Sequence, residues 1–302
     1  MGKDSTVSYL AEMAGRVMEE TGLLPHTNAG VLSAHEMATL RAVSVSQGLM
    51  LETLAPSVAA HAGCRTKEPR IRLRQLELAG RLAVPFTTGL LLGLGETRAD
   101  TIEALLRVRH AHERWGHVQE IILQPFRPKT GTRMADADAF PEDELLWAVA
   151  AAKLILGPSG VPIQSPPNLS AEPRALRRLL RCGVDDWGGV SPVTIDHVNP
   201  EAAWPDVARL RLHTEAEGRV LVPRLPAYPP YVHHRALQTR ALARWQHLAV
   251  AAHVRRRSDG GGYARTERAE SDSWHSGLLR PPPSGNEEED CLLYTSPSPR
   301  DS

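Results

Sequence analysis

The stretch PFTTGLLLGLGET, Pro85–Thr97, joins a short apolar run to a glycine-rich turn. Its first part, Phe86–Leu92, is bounded by turn residues and is typical of a strand buried on both faces of a parallel sheet. Four residues form a G-x-hydrophobic-x-G-x-x-E frame that runs off the end of this strand: Gly89, Leu91, Gly93 and Glu96. Glycine in such a place lets a flat ring lie on the backbone.

The glycine frame alone fits two interpretations equally well. One is a nucleotide-binding turn, and the other is an ordinary strand-to-helix turn in which Thr97 and Asp100 cap the next helix. The glycine spacing differs from a dinucleotide-binding fingerprint, and no acidic residue closes the following strand in the expected place.

Helices and short apolar strands alternate on both sides of this stretch. Upstream, the pattern predicts a strand over Gly48–Thr53. It predicts helices over Val7–Thr21, Ser33–Ser46 and Ile71–Leu82. Downstream, strands are predicted at Val118–Gln124 and Val161–Gln164, and helices at Ala99–His112, Glu142–Ile155 and Pro173–Arg181. This α/β rhythm predicts parallel crossovers, in a (βα) barrel or a doubly wound sheet. We favour a partial barrel, because polar and glycine-rich residues gather just after the strands.

Composition excludes several classes of protein. The 302 residues carry 35 Lys+Arg and 35 Asp+Glu, so a nucleic-acid-binding domain is not expected. We find no apolar run near the roughly 20 residues that span a bilayer and no secretory leader, which favours a cytoplasmic protein or one of an organellar stroma or matrix. Cys64, Cys182 and Cys291 lie too far apart for a disulfide framework or a paired-cysteine metal site, and no histidine cluster predicts a metal site.

Three regions are expected along the chain. Residues 1–265 form the partial barrel domain, and residues 266–290 form a disordered linker or tail because they are charged and rich in Ser, Gly and Pro. The string CLLYTSPSPRD, Cys291–Asp301, resembles the translation of a sequencing-library adapter. We therefore expect residues 291–302 to be an artefact that plays no part in the fold.

Two charged residues stand near the glycine frame in the predicted fold. Glu52 ends an apolar run, where a solvated strand end is the simple interpretation and a ribose or amine contact the more specific one. Its place on the same rim as the frame favours function. Arg72 could offer a carboxylate two parallel hydrogen bonds, although arginine in a first helical turn is more often solvated.

Further polar residues follow the later strands: Gln124, Arg127, Gln164, Asn168, Asp186, Trp187 and Ser191. Each could belong to an ordinary loop, but their repeated position on one rim predicts a binding site.

Several long blocks resemble one enzyme family. They are LPHTNAGVLS, SQGLMLETL, the segment His61–Arg72, PFTTGLLLGLGET, GHVQEIILQPFRPKTGT and DWGGVSPVTIDHVNPEAAWP. These blocks, spread over roughly Ser8–Arg265, are similar to the radical S-adenosylmethionine enzymes called FO synthases. The likeness is to the cyclising subunit, 7,8-didemethyl-8-hydroxy-5-deazariboflavin synthase, or to the matching half of the fused form.

The resemblance implies a cofactor set and a reaction. Such enzymes hold a [4Fe-4S] cluster on a Cys-x-x-x-Cys-x-x-Cys loop and cleave S-adenosylmethionine. The resulting 5′-deoxyadenosyl radical attacks an adduct of tyrosine's 4-hydroxybenzyl group with a ribityl-diaminouracil, which then cyclises and loses ammonia. An electron donor and a 4-hydroxybenzyl transferase half, fused or separate, are the implied partners.

The resemblance also implies roles for individual residues. By the resemblance, the family's motif on the adenine side of S-adenosylmethionine corresponds to Gly89, Leu91, Gly93 and Glu96. Glu52 would approach the ribose or amine of S-adenosylmethionine, and Arg72 its carboxylate. A uracil-like substrate would face Thr88, Gln124, Asn168 and Asp186. No residue is assigned as a catalytic acid or base.

The family's three cluster-binding cysteines have no counterpart in this sequence. We therefore expect the cluster ligands and the first strands to lie upstream, and this chain to be inactive with exposed strand edges. Two other readings stay open: another radical S-adenosylmethionine branch, such as a futalosine-type cyclase, and a non-catalytic scaffold. A phosphate-binding aldolase barrel is disfavoured, because no lysine stands at a strand end.

Overall fold

A computed structural model describes residues 5–56, 58–132, 134–170, 172–191, 194–232 and 242–265. The strands are His26–Thr27 (β1), Ser46–Gly48 (β2), Phe86–Leu92 (β3), Val118–Pro125 (β4) and Ile163–Gln164 (β5). The helices are Thr6–Thr21 (α1), Ala34–Arg41 (α2), Pro69–Arg81 (α3), Arg98–Trp115 (α4), Glu142–Leu156 (α5), Pro173–Cys182 (α6), Val207–Glu215 (α7), Pro229–Val232 (α8), Leu242–Trp245 (α9) and Leu248–Arg257 (α10). The predictions for residues 266–290 and 291–302 fall outside the described residues.

The five strands form one parallel sheet in the order β1-β2-β3-β4-β5. A doubly wound sheet reverses its strand order at a switch point, and the described strands show no such reversal. With right-handed crossovers, an unbroken order places the intervening helices on one face of the sheet. The prediction of a partial (βα) barrel is confirmed, and the doubly wound alternative is excluded.

Polar caps set the helix starts that the sequence predicted. Ser33 and Glu36 exchange hydrogen bonds at the start of α2, and Thr97 and Asp100 do the same at α4. Helix α1 ends at Gly22, whose φ of 69° is left-handed. These contacts satisfy backbone groups that have no partner inside the helix, and each N-cap contributes about 1 kcal/mol.

Helix α2 is shorter than predicted. It ends at Arg41 rather than near Ser46, because Ser46 is already paired with His26 in the sheet. The short strand β1 was missed altogether, since it has no apolar run to mark it.

The predicted strand Gly48–Thr53 is regular only at its first residue. Beyond Gly48 the hydroxyl of Thr88 donates to the carbonyl of Leu49 and accepts from the N–H of Leu51. A side chain from β3 therefore takes the place of regular backbone pairing, and β2 covers Ser46–Gly48 instead.

The main apolar core lies between the sheet and its helices. From the sheet it contains Phe86, Leu90, Leu92, Ile121, Leu123 and Ile163. From α4, α5 and α6 it contains Leu105, Val108, Val149, Leu156, Leu176 and Leu179. Burial of each large side chain contributes about 1.5–3 kcal/mol, so this packing anchors the strand ends that carry the site.

Candidate functional site

The ends of β2 and β3 place Glu52 beside the glycine frame. The N–H of Glu52 donates to the carbonyl of Gly89 at 2.9 Å, and the N–H of Leu91 donates to the carbonyl of Glu52 at 3.0 Å. Glu52 has a left-handed φ of 65°, a conformation uncommon for a residue with a side chain. Glu52 and Gly93 therefore lie at the same carboxyl end of the sheet, as the sequence predicted.

Three basic side chains surround the carboxylate of Glu52. His61 Nε2 lies 2.7 Å from Oε2, Lys67 Nζ lies 3.5 Å from Oε2, and Arg72 Nη2 lies 3.4 Å from Oε1. Burial opposes ionisation, but the hydrogen bond from His61 and the charges of Lys67 and Arg72 outweigh it and lower the pKa of Glu52. The carboxylate is therefore ionised at neutral pH.

Arg72 is tied to the backbone around Glu52. Its Nε donates to the carbonyl of Thr66 at 2.7 Å, and its Nη1 donates to the carbonyl of Met50 at 2.6 Å. The side chain is 9% exposed, so the alternative of a solvated arginine does not hold. A cavity of about 200 Å³ opens here, lined by Asn28, Gly30, Val31, Leu49, Met50, Glu52, Thr66 and Arg72.

Replacing Glu52 with glutamine is expected to lower the free energy of unfolding at pH 7 by about 1.5–3 kcal/mol, because hydrogen bonds to a charged group are lost. Since the pKa of Glu52 is depressed in the folded state, its contribution is present above the ordinary glutamate value of 4.5 and is lost as the pH falls through the lower folded value. Urea denaturation across this pH range measures the difference.

Glu20 provides the matched control. It forms an exposed pair with Arg16 one helical turn away, so Glu20→Gln should cost less than about 1 kcal/mol. Equal pH dependence of the original chain and the Glu52→Gln variant would contradict the assigned role of the carboxylate.

The loop after β3 is held in shape by Glu96. Its carboxylate accepts the N–H of Gly93 at 2.6 Å and the N–H of Leu94 at 2.8 Å. Gly93 has φ 102° and Gly95 has φ 107°, which side chains rarely adopt. Glu96 therefore shapes the turn from within, while the Phe140 side chain packs against Gly93, where a Cβ atom would stand 2.8 Å from the ring.

The other two members of the frame lie within β3. A Cβ atom added to Gly89 would overlap the side chain of Met50 and the carbonyl oxygen of Ile122. Leu91 is half-buried and pairs with Gln124 of β4, directly below the turn. The predicted frame thus runs from a glycine buried between Met50 and β4 to the turn after β3.

A second cavity, of about 810 Å³, lies on the sheet face opposite the main core. Its polar lining includes His26, Thr87, Glu120, Gln164, Asp186 and Arg224. Arg224 donates through Nη2 to Glu120 at 2.9 Å and through both Nε and Nη2 to Asp186. Its guanidinium also stacks 4.2 Å from the ring centroid of Tyr228.

Glu120 receives three donors in this cavity. Its carboxylate accepts from Thr87 Oγ1 at 2.7 Å and from the hydroxyl of Tyr228 at 3.0 Å, besides Arg224. Burial raises the pKa of Glu120, and the charge of Arg224 opposes that rise. Burial lowers the pKa of Arg224, but Glu120 and Asp186 outweigh it and raise the pKa above its ordinary value. The guanidinium therefore stays charged.

The four predicted substrate residues occupy different environments. Asp186 lines the larger cavity, and Gln124 lies half-buried beside Leu91 at the rim. Thr88 is 1% exposed and bonds to backbone, whereas its neighbour Thr87 lines the cavity. The Nδ2 of Asn168 donates to Asp196 and to the carbonyl of Ala202, which ties two loops together.

Sequence reasoning missed His26, Glu120, Arg224 and Tyr228. The block LPHTNAGVLS contains His26, but nothing local distinguishes it from a surface histidine. Glu120 and Arg224 are 104 residues apart, so only the fold brings them together.

The residues present do not fit an iron–sulfur cluster. Such a cluster is held by several cysteine thiolates, whereas Cys64 and Cys182 are the free cysteines within the described ranges. No group of three or more His, Cys, Asp or Glu in those ranges could hold a metal ion.

No helix among the described residues has the length and apolar character needed to cross a membrane.

No protein-family model matches the chain. The FO synthase of Nocardia farcinica (strain IFM 10152) is 47% identical over 258 residues, covering 84% of this chain and 29% of that protein. The FO synthase of Mycobacterium tuberculosis (strain ATCC 25618 / H37Rv) is 48% identical over 261 residues, again 29% of its length. The chain thus spans less than a third of these curated relatives.

The archaeal relatives are matched over more of their length. The 7,8-didemethyl-8-hydroxy-5-deazariboflavin synthase of Methanopyrus kandleri is 44% identical over 268 residues, 87% of this chain and 76% of that protein. Among solved structures, the FeFe-hydrogenase maturase HydG from Carboxydothermus hydrogenoformans shares the fold, with a TM-score of 0.51 and 17% identity over 61% of this chain and 43% of that one. Identity of 44% across 76% of the archaeal protein shows that the chain belongs to the 7,8-didemethyl-8-hydroxy-5-deazariboflavin synthase (FO synthase) family.

Proposed function

We propose that the complete protein is a radical S-adenosylmethionine enzyme of deazaflavin biosynthesis. It cyclises the adduct of tyrosine's 4-hydroxybenzyl group and ribityl-diaminouracil to 7,8-didemethyl-8-hydroxy-5-deazariboflavin and releases ammonia. The observation that carries this proposal is the 44% identity to a protein of that name over 76% of its length. The rim shared by Glu52 and Gly93 supports it, because an ionised carboxylate lies beside the glycine-rich turn at the carboxyl end of the sheet.

The rim residues fit parts of S-adenosylmethionine. The cavity beside Glu52 measures about 200 Å³, less than the roughly 300 Å³ of a small whole-ligand pocket, so it suits the amino-acid end of the molecule. Glu52 would accept the amine or the ribose hydroxyls, and Arg72 and Lys67 would balance the carboxylate. Next to a reduced cluster, S-adenosylmethionine supplies the radical that takes a hydrogen atom from the substrate.

The adenine side and the substrate side are part of the same proposal. Gly89, Leu91 and Gly93 would lie on the adenine side, with Met50 packed on Gly89 and Phe140 on Gly93, while Glu96 holds the turn. Gln124 at the rim and Asp186 in the larger cavity are our candidates for contact with the uracil-like ring. Thr88 and Asn168 would act on the substrate only through the backbone that they hold.

We further propose that this chain alone does not catalyse the reaction, because it supplies no set of cluster ligands. The test compares the chain with a version extended by its upstream coding sequence, both reconstituted anaerobically with iron and sulfide. The extended protein should form 5′-deoxyadenosine and the deazaflavin chromophore, and the chain alone should form neither.

A variant of the extended protein with its cluster cysteines replaced by alanine is the control. Release of 5′-deoxyadenosine by the chain alone would contradict the proposed inactivity. An extended protein that lacks iron, or that makes a different product from the adduct, would overturn the proposed reaction.

A further inference from the structure

His26 lies at the end of the larger cavity that is farthest from the rim. It pairs with Ser46 in the sheet, whereas Glu52 bridges Leu90 near the other end of β3. This separation of about five residues along the strands corresponds to roughly 15–20 Å. His26 lines the cavity, whose lining continues up to Ile122, the partner of Gly89.

The fold determines which imidazole nitrogen carries the proton. His26 Nδ1 lies 2.8 Å from Ser46 Oγ, and Ser46 Oγ donates to the carbonyl of Pro226 at 2.7 Å. Because the one hydroxyl proton goes to Pro226, Ser46 can only accept from His26. His26 is therefore protonated at Nδ1, and Nε2 carries the lone pair.

Nε2 is an acceptor without a protein donor in the part of the chain that the structure describes. Its ring edge lies against Gly48, where an added Cβ atom would stand 3.0 Å from Nε2. Burial and the positive charge of Arg224 lower the pKa of His26, so the ring is neutral at pH 7. The other ionisable groups that line this part of the cavity, Glu120 and Asp186, are committed to Arg224.

The cavity has room for an extended ligand. Its volume of about 810 Å³ lies within the range of roughly 300–1,000 Å³ found for small-molecule sites. Ile122, Trp187 and Leu225 supply apolar walls, and His26 Nε2 is an acceptor at the end of the cavity farthest from the rim. Because His26 Nε2 lies deep in the cavity, it can accept a hydrogen bond from the far end of a long ligand. The reacting ring of such a ligand would stay near the rim.

We propose that Nε2 of His26 accepts a hydrogen bond from a hydroxyl group of the substrate's ribityl chain. This inference rests on the proposed function and adds to it a residue that selects the ribityl-bearing substrate. The ribityl chain carries several O–H donors and projects from the ring, so it can reach His26 while the ring remains near the rim.

Two substitutions separate the two nitrogens. His26→Asn keeps an amide N–H where Nδ1 donates to Ser46 but removes the acceptor at the Nε2 position. His26→Gln places its amide near the Nε2 position and loses the bond to Ser46. Thermal melts of both variants check folding, and nitrogen NMR of the imidazole in the unsubstituted chain checks the Nδ1–H tautomer.

Binding is measured anaerobically by calorimetry with ribityl-diaminouracil and with diaminouracil, which lacks the ribityl chain. We expect His26→Asn to weaken binding of ribityl-diaminouracil by about 2- to 12-fold, the value of one hydrogen bond. Binding of diaminouracil should not change, and His26→Gln should retain most of the affinity for ribityl-diaminouracil.

The outcomes distinguish this inference from the proposed function. If the unsubstituted chain binds ribityl-diaminouracil and His26→Asn binds it equally well, or loses both ligands alike, the role of His26 is overturned and the proposed function stands. An Nε2–H tautomer likewise overturns the role of His26. If the unsubstituted chain binds neither ligand, the proposed substrate cavity fails, and the inference fails with it.

Discussion

Replacing Arg224 with methionine is expected to lower the free energy of unfolding by about 3–5 kcal/mol, because it leaves two buried carboxylates without their cation. Arg224 bonds to both Glu120 and Asp186, and the side chain of Glu120 is 6% exposed. Methionine fills much of the arginine volume, so the lost free energy of unfolding comes from the missing positive charge rather than from a cavity. Urea denaturation at pH 7 measures the change.

The pH dependence of this deficit follows from the same geometry. Burial already raises the pKa of Glu120, and without the opposing charge of Arg224 it rises further above its unfolded value. The folded variant then binds protons more readily than the unfolded chain, so the deficit should shrink as the pH falls. Arg178→Met is the control, since its exposed pairs with Glu142 and Asp143 should cost less than about 1 kcal/mol. Equal effects at Arg224 and Arg178 would show that the buried network does not stabilise the fold.

Gly89→Ala should be the most damaging of the single-methyl additions, lowering the free energy of unfolding by about 3 kcal/mol. The added Cβ would overlap Met50 and the carbonyl oxygen of Ile122. The Met50 side chain can move, but Ile122 is in β4 and is fixed by its pairing with Gly89. Relief therefore requires separation of β3 from β4, and we also expect weaker binding of S-adenosylmethionine at the rim.

Gly189→Ala is the matched control for this substitution. Nothing lies within 4 Å of a Cβ atom at Gly189, and its φ is not left-handed. Gly189→Ala should change the free energy of unfolding by less than about 0.5 kcal/mol. Urea denaturation compares the two variants, and similar midpoints for Gly89→Ala and the original chain would refute the close approach of the two strands.

Features that depend on neighbouring residues were predictable. The strand Phe86–Leu92 has the predicted bounds, because a buried strand needs a continuous apolar run and turn residues at its ends. The caps at Ser33 and Thr97 were predictable because each capping box closes within four residues. The rim shared by Glu52 and the glycine frame followed from the rule that parallel strands share one carboxyl end.

Other parts of the site depend on contacts that no local pattern contains. The resemblance implies that Thr88 faces the substrate, and the strand pattern alone does not say whether Thr87 or Thr88 lines the larger cavity. Arg72 was read as a solvated arginine or a carboxylate ligand, and its bonds to Met50 and Thr66 depend on how one loop folds over the helix start.

The amino-acid sequence by itself determined the alternation of strands and helices from β2 to α6, the capped helix starts and the rim on which Glu52 and Gly93 lie. Each of these depends on residues close in the chain or on the rule that parallel strands share one direction. Only the tertiary structure decided the larger cavity, where Arg224 meets Glu120 and His26 presents Nε2. These groups come from segments up to about two hundred residues apart, and their pairing is stabilised by burial that exists only once the sheet and its helices have assembled.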